Sequence, residues 1–207
     1  MDRTRIRVAV IDSGVNSSHP HISRVDGGFP ENDFLDRLGH GTAVMAAIQE
    51  KAPDAEYFAV RVFGREFRTN IAALTAALQW CVENKMDVIN LSLGTSNAAH
   101  AEKFMPFIGR AIVVSAAGMY PGDQPGVIRV APDPEIPRDE YRCDAGIFYA
   151  SDRPRPIEGV PPERNLSGVS FAVANMTGFV ARACERLEKR SYDAVLQALK
   201  ADSTLIR

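Results

Sequence analysis

Four short runs of apolar, largely β-branched residues, set among segments of helical periodicity, restrict what this chain can fold into more than any other feature. Arg5 to Asp12 reads RIRVAVID, and Glu56 to Phe63 (EYFAVRVF), Asp87 to Leu93 (DVINLSL) and Ala111 to Ala117 (AIVVSAA) repeat the pattern. Continuous apolar runs of this length belong to strands covered on both faces, and the last three each follow a segment with helical spacing. The clearest helix is predicted over Thr69 to Asn84, where Thr69 can cap the first turn and Ile71, Leu74, Leu78 and Val82 recur at three- and four-residue steps. This alternation predicts an α/β fold, a three-layer sandwich with a mainly parallel central sheet.

Beyond Gly118 the texture changes, because nine prolines fall between Pro121 and Pro162. Such a stretch reads as turn and loop, with room for short strands at Val127 to Val130 and Ile147 to Ala150. Helical spacing returns over Ser170 to Arg190 and again over Tyr192 to Lys200. No internal repeat or linker-like tract interrupts the 207 residues, so one domain over 1–207 is expected. A chain of this size buries about 70% of the surface its unfolded form exposes, enough for a core without disulfides or metal.

Charge narrows the function. Lys and Arg total 24 against 26 Asp and Glu, a net of −2, with no basic run, which argues against nucleic acid or anionic lipid as a partner. Cys81, Cys143 and Cys184 are odd in number and far apart, as buried free thiols of a reducing compartment are. The first apolar stretch is too short for a signal sequence or a membrane span, so a cytoplasmic protein is expected.

Three segments carry the chemistry: Val10-Ile11-Asp12-Ser13-Gly14, Gly39-His40-Gly41-Thr42 and Gly168-Val169-Ser170-Phe171-Ala172. In open parallel sheets functional groups gather at the carboxyl ends of strands and the amino ends of helices. Asp12 ends a strand, His40 opens a predicted helix, and Ser170 starts another, where free N–H groups favour developing negative charge. A serine hydroxyl is a weak nucleophile until a histidine takes its proton, and a carboxylate behind that histidine fixes its tautomer. Each residue alone has an ordinary structural use, as a turn residue, a packed histidine or a G-x-S turn. Together, glycine-flanked and in the order Asp, His, Ser, they follow a known chain order for acyl transfer.

The sequence resembles the subtilisin-like serine proteases, the subtilases. VAVIDSGV is similar to the family's aspartate motif, GHGTAV to its histidine motif and SGVSFAVA to its serine motif, while VINLSLGT and VVSAAGM resemble its substrate-binding strand and the segment before its oxyanion residue. The resemblance implies Asp12 as orienting carboxylate, His40 as general acid–base and Ser170 as nucleophile. It implies that Leu93, Gly94 and Thr95 bind a peptide or protein substrate as an added β-strand, with Ala116, Ala117 and Gly118 lining the pocket before the scissile bond. Many secreted relatives hold a calcium site, but here no metal or other cofactor is expected, since the carboxylates between Met119 and Ser170 form no D-x-D-x-D-G loop. A minimal peptidase domain without a propeptide is expected from the position of the Asp12 motif near residue 1.

One departure bears on rate. The family usually has asparagine after A-A-G, and here the residue is Met119, whose thioether donates no hydrogen bond. Losing one oxyanion donor costs roughly 10²- to 10³-fold in turnover, which predicts a slow or substrate-restricted endopeptidase. Asn165 or Asn90 can supply a replacement donor, or the target can be a single precursor peptide or protein partner. The alternative is a pseudoprotease that grips peptides. His19 and His21 read as surface loop residues, His100 as a residue near the peptide groove, and Asn175 as a satisfied core polar group.

Overall fold

The computed structural model describes residues 5–31 and 33–203. Eight strands form one sheet: β1 (Arg7–Asp12), β2 (Gly27–Phe29), β3 (Glu56–Arg61), β4 (Val88–Leu91), β5 (Ile112–Ala116), β6 (Val127–Pro132), β7 (Tyr141–Asp144) and β8 (Ile147–Ala150). Their spatial order is β2-β3-β1-β4-β5-β6-β8-β7, and every neighbouring pair is parallel except the β7–β8 hairpin. The helices are α1 (His40–Gln49), α2 (Ile71–Glu83), the single turn α3 (Ala101–Phe104), α4 (Val169–Arg186) and α5 (Tyr192–Asp202).

Successive side chains of a strand point to opposite faces, and that alternation divides the core in two. Val8 and Val10 of β1, Val88 of β4 and Val114 of β5 pack with α1, α4 and α5. Ala9, Ile11, Ile89, Leu91 and Val113 pack with α2 and Phe104 on the other face. The expected three layers and parallel sheet are therefore present. Strand β1 leads to β2 and β3 on one side and its neighbour β4 leads to β5 on the other, the reversal at which open parallel sheets place functional groups past their carboxyl ends, here beyond Asp12.

Local details differ from expectation. Asn70, not Thr69, caps α2, its side chain accepting from the Ala73 N–H at 2.9 Å. The edge strands β2 and β7 carry no apolar run and gave no sequence signal. Cys81 and Cys184 are buried, whereas Cys143, on the edge strand β7, is only partly so. Among the described residues no helix is long and apolar enough to cross a membrane.

Candidate active site

Asp12 is the last residue of β1 and is 1% exposed. Its Oδ1 accepts from the Ser13 N–H at 2.7 Å and lies 2.8 Å from His40 Nδ1, while Ser92 Oγ stands 3.4 Å from Oδ2. A buried carboxylate with these partners is held in one orientation and points at the imidazole. His40 is the first residue of α1. Burial opposes protonation of its ring, but the hydrogen bond and charge of Asp12, with the charge of Asp36, prevail and raise its pKa above the ordinary imidazole value.

Asp36 is the residue the sequence reading missed. Its Oδ1 accepts from Ser13 Oγ and from the N–H groups of Leu38 and Gly39, and its Oδ2 from the N–H and Oγ of Thr42, all within 2.9 Å. Burial pushes its carboxyl upward, but the bonds from Thr42, Leu38 and Ser13 outweigh burial and hold it below the usual carboxylate range. Gly39 at the N-cap of α1 has no side chain to offer, so Asp36 reaches back to satisfy N–H groups a capping side chain would otherwise take. The signal was an aspartate three residues before a glycine N-cap. Gly41 completes the seat, because a Cβ there would lie 2.2 Å from the Gly14 carbonyl oxygen and 3.2 Å from Asp12 Oδ1.

Ser170 is the second residue of α4, behind Gly168 at φ 135°. The next residue, Phe171, sets its ring 5.4 Å from the His40 ring, so the start of α4 packs against the imidazole. Among the described residues Ser170 Oγ has no hydrogen-bond partner, and its backbone N–H, in the unpaired first turn, has none either. The Asp12–His40 pair is thus assembled, and Ser170 stands at the adjoining helix start with its hydroxyl uncommitted. Phe67, 59% exposed on the loop after β3, meets the His40 ring edge-on at 5.5 Å.

The peptide-binding candidates lie past the ends of β4 and β5. The Thr95 N–H donates to the Tyr120 carbonyl and the Tyr120 N–H to the Thr95 carbonyl, each at 2.9 Å. Both of Thr95's main-chain groups are therefore committed inside the molecule. Leu93 is half-buried against the α2 face of the sheet, and Gly94 sits under the bridge, where a Cβ would fall 2.2 Å from the Tyr120 oxygen and 3.0 Å from Met119 Sδ. Ala116 is buried at the end of β5, Ala117 donates to the Val130 carbonyl at 2.8 Å, and Gly118 donates to Asp123 Oδ1 at 3.0 Å. Met119 therefore carries its thioether across toward Gly94 while packing on the core beneath α4.

The two candidate replacement donors are differently placed. Asn165 donates to the Arg155 carbonyl at 3.0 Å and accepts from the Leu166 N–H at 2.8 Å, which pins the loop before Ser170. Asn90 is fully buried in β4; its Oδ1 accepts from Thr177 Oγ1 at 3.0 Å, and its amide nitrogen has no partner among the described residues. Asn175 is satisfied as expected, accepting from Lys51 Nζ at 2.7 Å and donating to the Ser151 and Arg153 carbonyls. His100 Nδ1 lies 3.3 Å from Thr95 Oγ1. His19 and His21 pack edge-to-face at 5.1 Å, and among the described residues no group of three side chains is placed to hold a metal ion.

The sequence profile of the subtilase family matches residues 3–132. A thermostable alkaline protease of Halalkalibacterium halodurans is 28% identical over 236 aligned positions, covering 97% of this chain and 62% of that protein. Subtilisin E of Bacillus subtilis is 35% identical over 130 positions, covering 55% of this chain and 34% of that protein. The chain thus spans less than two thirds of the length of either relative. Among solved structures, a cold adapted subtilisin-like serine proteinase superposes with a TM-score of 0.75 at 20% identity, over 95% of this chain and 81% of the other. The prenylagaramide maturation protease PagA does so with a TM-score of 0.71 at 24% identity, over 98% and 84%.

Proposed function

The chain belongs to the subtilase family, and from that premise we propose that it is a serine endopeptidase in which Asp12, His40 and Ser170 form the catalytic triad. The observation that carries the reading is the 2.8 Å contact between the buried Asp12 carboxylate and His40 Nδ1, with the Ser170-bearing end of α4 packed on the same ring. Asp12 holds the proton on Nδ1, which leaves Nε2 free to accept the Ser170 hydroxyl proton as Oγ attacks a peptide carbonyl. The imidazolium so formed, stabilised by Asp12, returns that proton to the departing amine. Water then attacks the acyl-enzyme by the same relay in reverse and frees the acid product.

The Ser170 N–H, unpaired in the first turn of α4, supplies one donor to the tetrahedral oxyanion. Met119 supplies none, so the reaction is slow by the family's measure and suits a restricted peptide or protein target. The substrate enters as an added strand along Gly94: in an extended chain its N–H and C=O point away from the side that Thr95 uses for Tyr120. A fluorophosphonate probe labels the wild-type chain and spares Ser170→Ala. Absence of labelling on folded protein refutes the triad and favours the second reading, a peptide-gripping pseudoprotease, which Met119 alone supports.

A further inference from the structure

A cleft of about 460 Å³ lies between α1 and the loop that leads to Ser170. None of its walls comes from the Gly94 or Met119 segments. It is bounded instead by Gly39 and Thr42, which flank His40 along the chain, and by Asn165 and Leu166, just upstream of Ser170. A peptide laid on Gly94 and cleaved between His40 and Ser170 has this as its second flank.

The cleft has a distinct chemistry. Its floor is apolar, from Ala43, Ala46 and Pro154, and its rim carries Ile157 and Leu166, which are 42% and 46% exposed. Its fixed cations are Arg155 and Arg164. The one carboxylate on its wall, Asp36, is held by five hydrogen bonds from neutral groups of the protein and keeps its charge, which leaves the two guanidiniums one positive charge in excess on the wall. Arg164 makes no ion pair among the described residues. Arg155 Nε stands 3.7 Å from Glu50, but that carboxylate also serves Arg138 and Lys51, one negative charge among three positive ones. The loop's own acids are Asp152, paired with Arg153, and the exposed Glu158 and Glu163, and none of the three lines the cleft. Burial, then the charge of Arg155, lowers the pKa of His21 on the same wall.

We propose that this cleft receives the part of a peptide substrate that follows the cleaved bond, and that it selects an aspartate or glutamate beside an apolar residue. The carboxylate meets Arg155 and Arg164 while the apolar side chain lies on Ile157 and Leu166. The assignment deepens the endopeptidase reading and rests on it for the direction of the chain, not for the charge preference.

The test has two arms. In the first, quenched fluorescent peptide libraries carry glutamate or lysine at the positions after the cleaved bond. In the second, labelled Leu-Glu and Leu-Lys repeat peptides are titrated onto Ser170→Ala at low and high ionic strength. The glutamate sets are cleaved and bound better, by roughly fivefold per guanidinium, the upper range for one exposed ion pair, and the advantage shrinks with salt. Arg164→Glu, at an exposed position outside the core, reverses the preference, and Arg164→Lys retains most of it. Equal handling of the two sets, or a preference that survives Arg164→Glu, overturns the proposal. If no peptide is cleaved and Ser170 takes no fluorophosphonate while Arg164-dependent binding persists, the endopeptidase reading fails and the acidic-peptide site stands.

Discussion

Replacing Gly41 by alanine tests whether close packing beneath the histidine is what seats it. The added Cβ would sit 2.2 Å from the Gly14 carbonyl oxygen, against an ordinary carbon–oxygen contact of about 3.4 Å, so the start of α1 and the turn after β1 must separate by roughly 1 Å. The same Cβ meets Asp12 at 3.2 Å, and the 2.8 Å link from Asp12 to His40 spans the gap that opens. Overpacking of this size costs about 1–3 kcal/mol of stability, while a displacement of about 1 Å in a catalytic constellation costs on the order of 10²-fold in rate. Gly64 provides the comparison, since a Cβ there meets nothing within 4 Å. Peptide hydrolysis and fluorophosphonate labelling, read beside thermal melts, should show Gly41→Ala folded but slower by about two orders of magnitude and Gly64→Ala unchanged. Full activity in Gly41→Ala at undiminished stability would refute the reasoning, because the Asp12–His40 geometry would then not depend on that contact.

Four further outcomes are expected. Because Asp12 and Asp36 outweigh burial and raise the His40 pKa, kcat/KM climbs with pH about a midpoint above 6.5, and the ring's contribution to stability, complete below the unfolded value, is lost as pH rises through the folded one. Asp12→Asn moves the ring titration downward by NMR, since the opposing charge is gone, and lowers turnover by about 10⁴-fold; an unmoved titration would contradict the pairing. Met119→Asn places an amide where the thioether stood, and turnover rises at unchanged pH profile; no change would show that the side chain at 119 does not face the oxyanion. Burial pushes Lys51 down to about 8 from 10.5, so below pH 8 it carries a cost of about 3 kcal/mol that fades between those values; denaturant unfolding should show wild type gaining on Lys51→Met across that range, over a decline common to both because burial raises the Cys81 and Cys184 thiols.

What the sequence disclosed and what it hid divide by the range of the interactions involved. Asp12 and His40 were legible because each ends or begins an element whose periodicity is local: the apolar run of β1 stops at Asp12, and Gly39 precedes the helical spacing of α1. The parallel sheet was legible for the same reason. Asp36, Phe67 and the Thr95–Tyr120 bridge were not, since each acts on a partner brought near only by the fold. Asp36 reads as one more loop acid until its five donors converge on it. Tyr120 reads as the residue before a proline until it takes both main-chain groups of Thr95.

That bridge changes the argument about the substrate more than Met119 does alone. The segments past β4 and β5, expected to bind the substrate backbone and to line the pocket before the cleaved bond, are joined by the two 2.9 Å hydrogen bonds, and Met119 Sδ lies beside Gly94. On the proposed substrate path, the cleft beside α1 adds space and charge on the far side of the cleaved bond. Widening the groove by Met119→Ala and neutralising the cleft by Arg164→Gln act on opposite sides of the scissile bond, so their effects on peptide preference should multiply independently. Strong coupling between them in a double-mutant cycle would mean that one site, not two, reads the substrate.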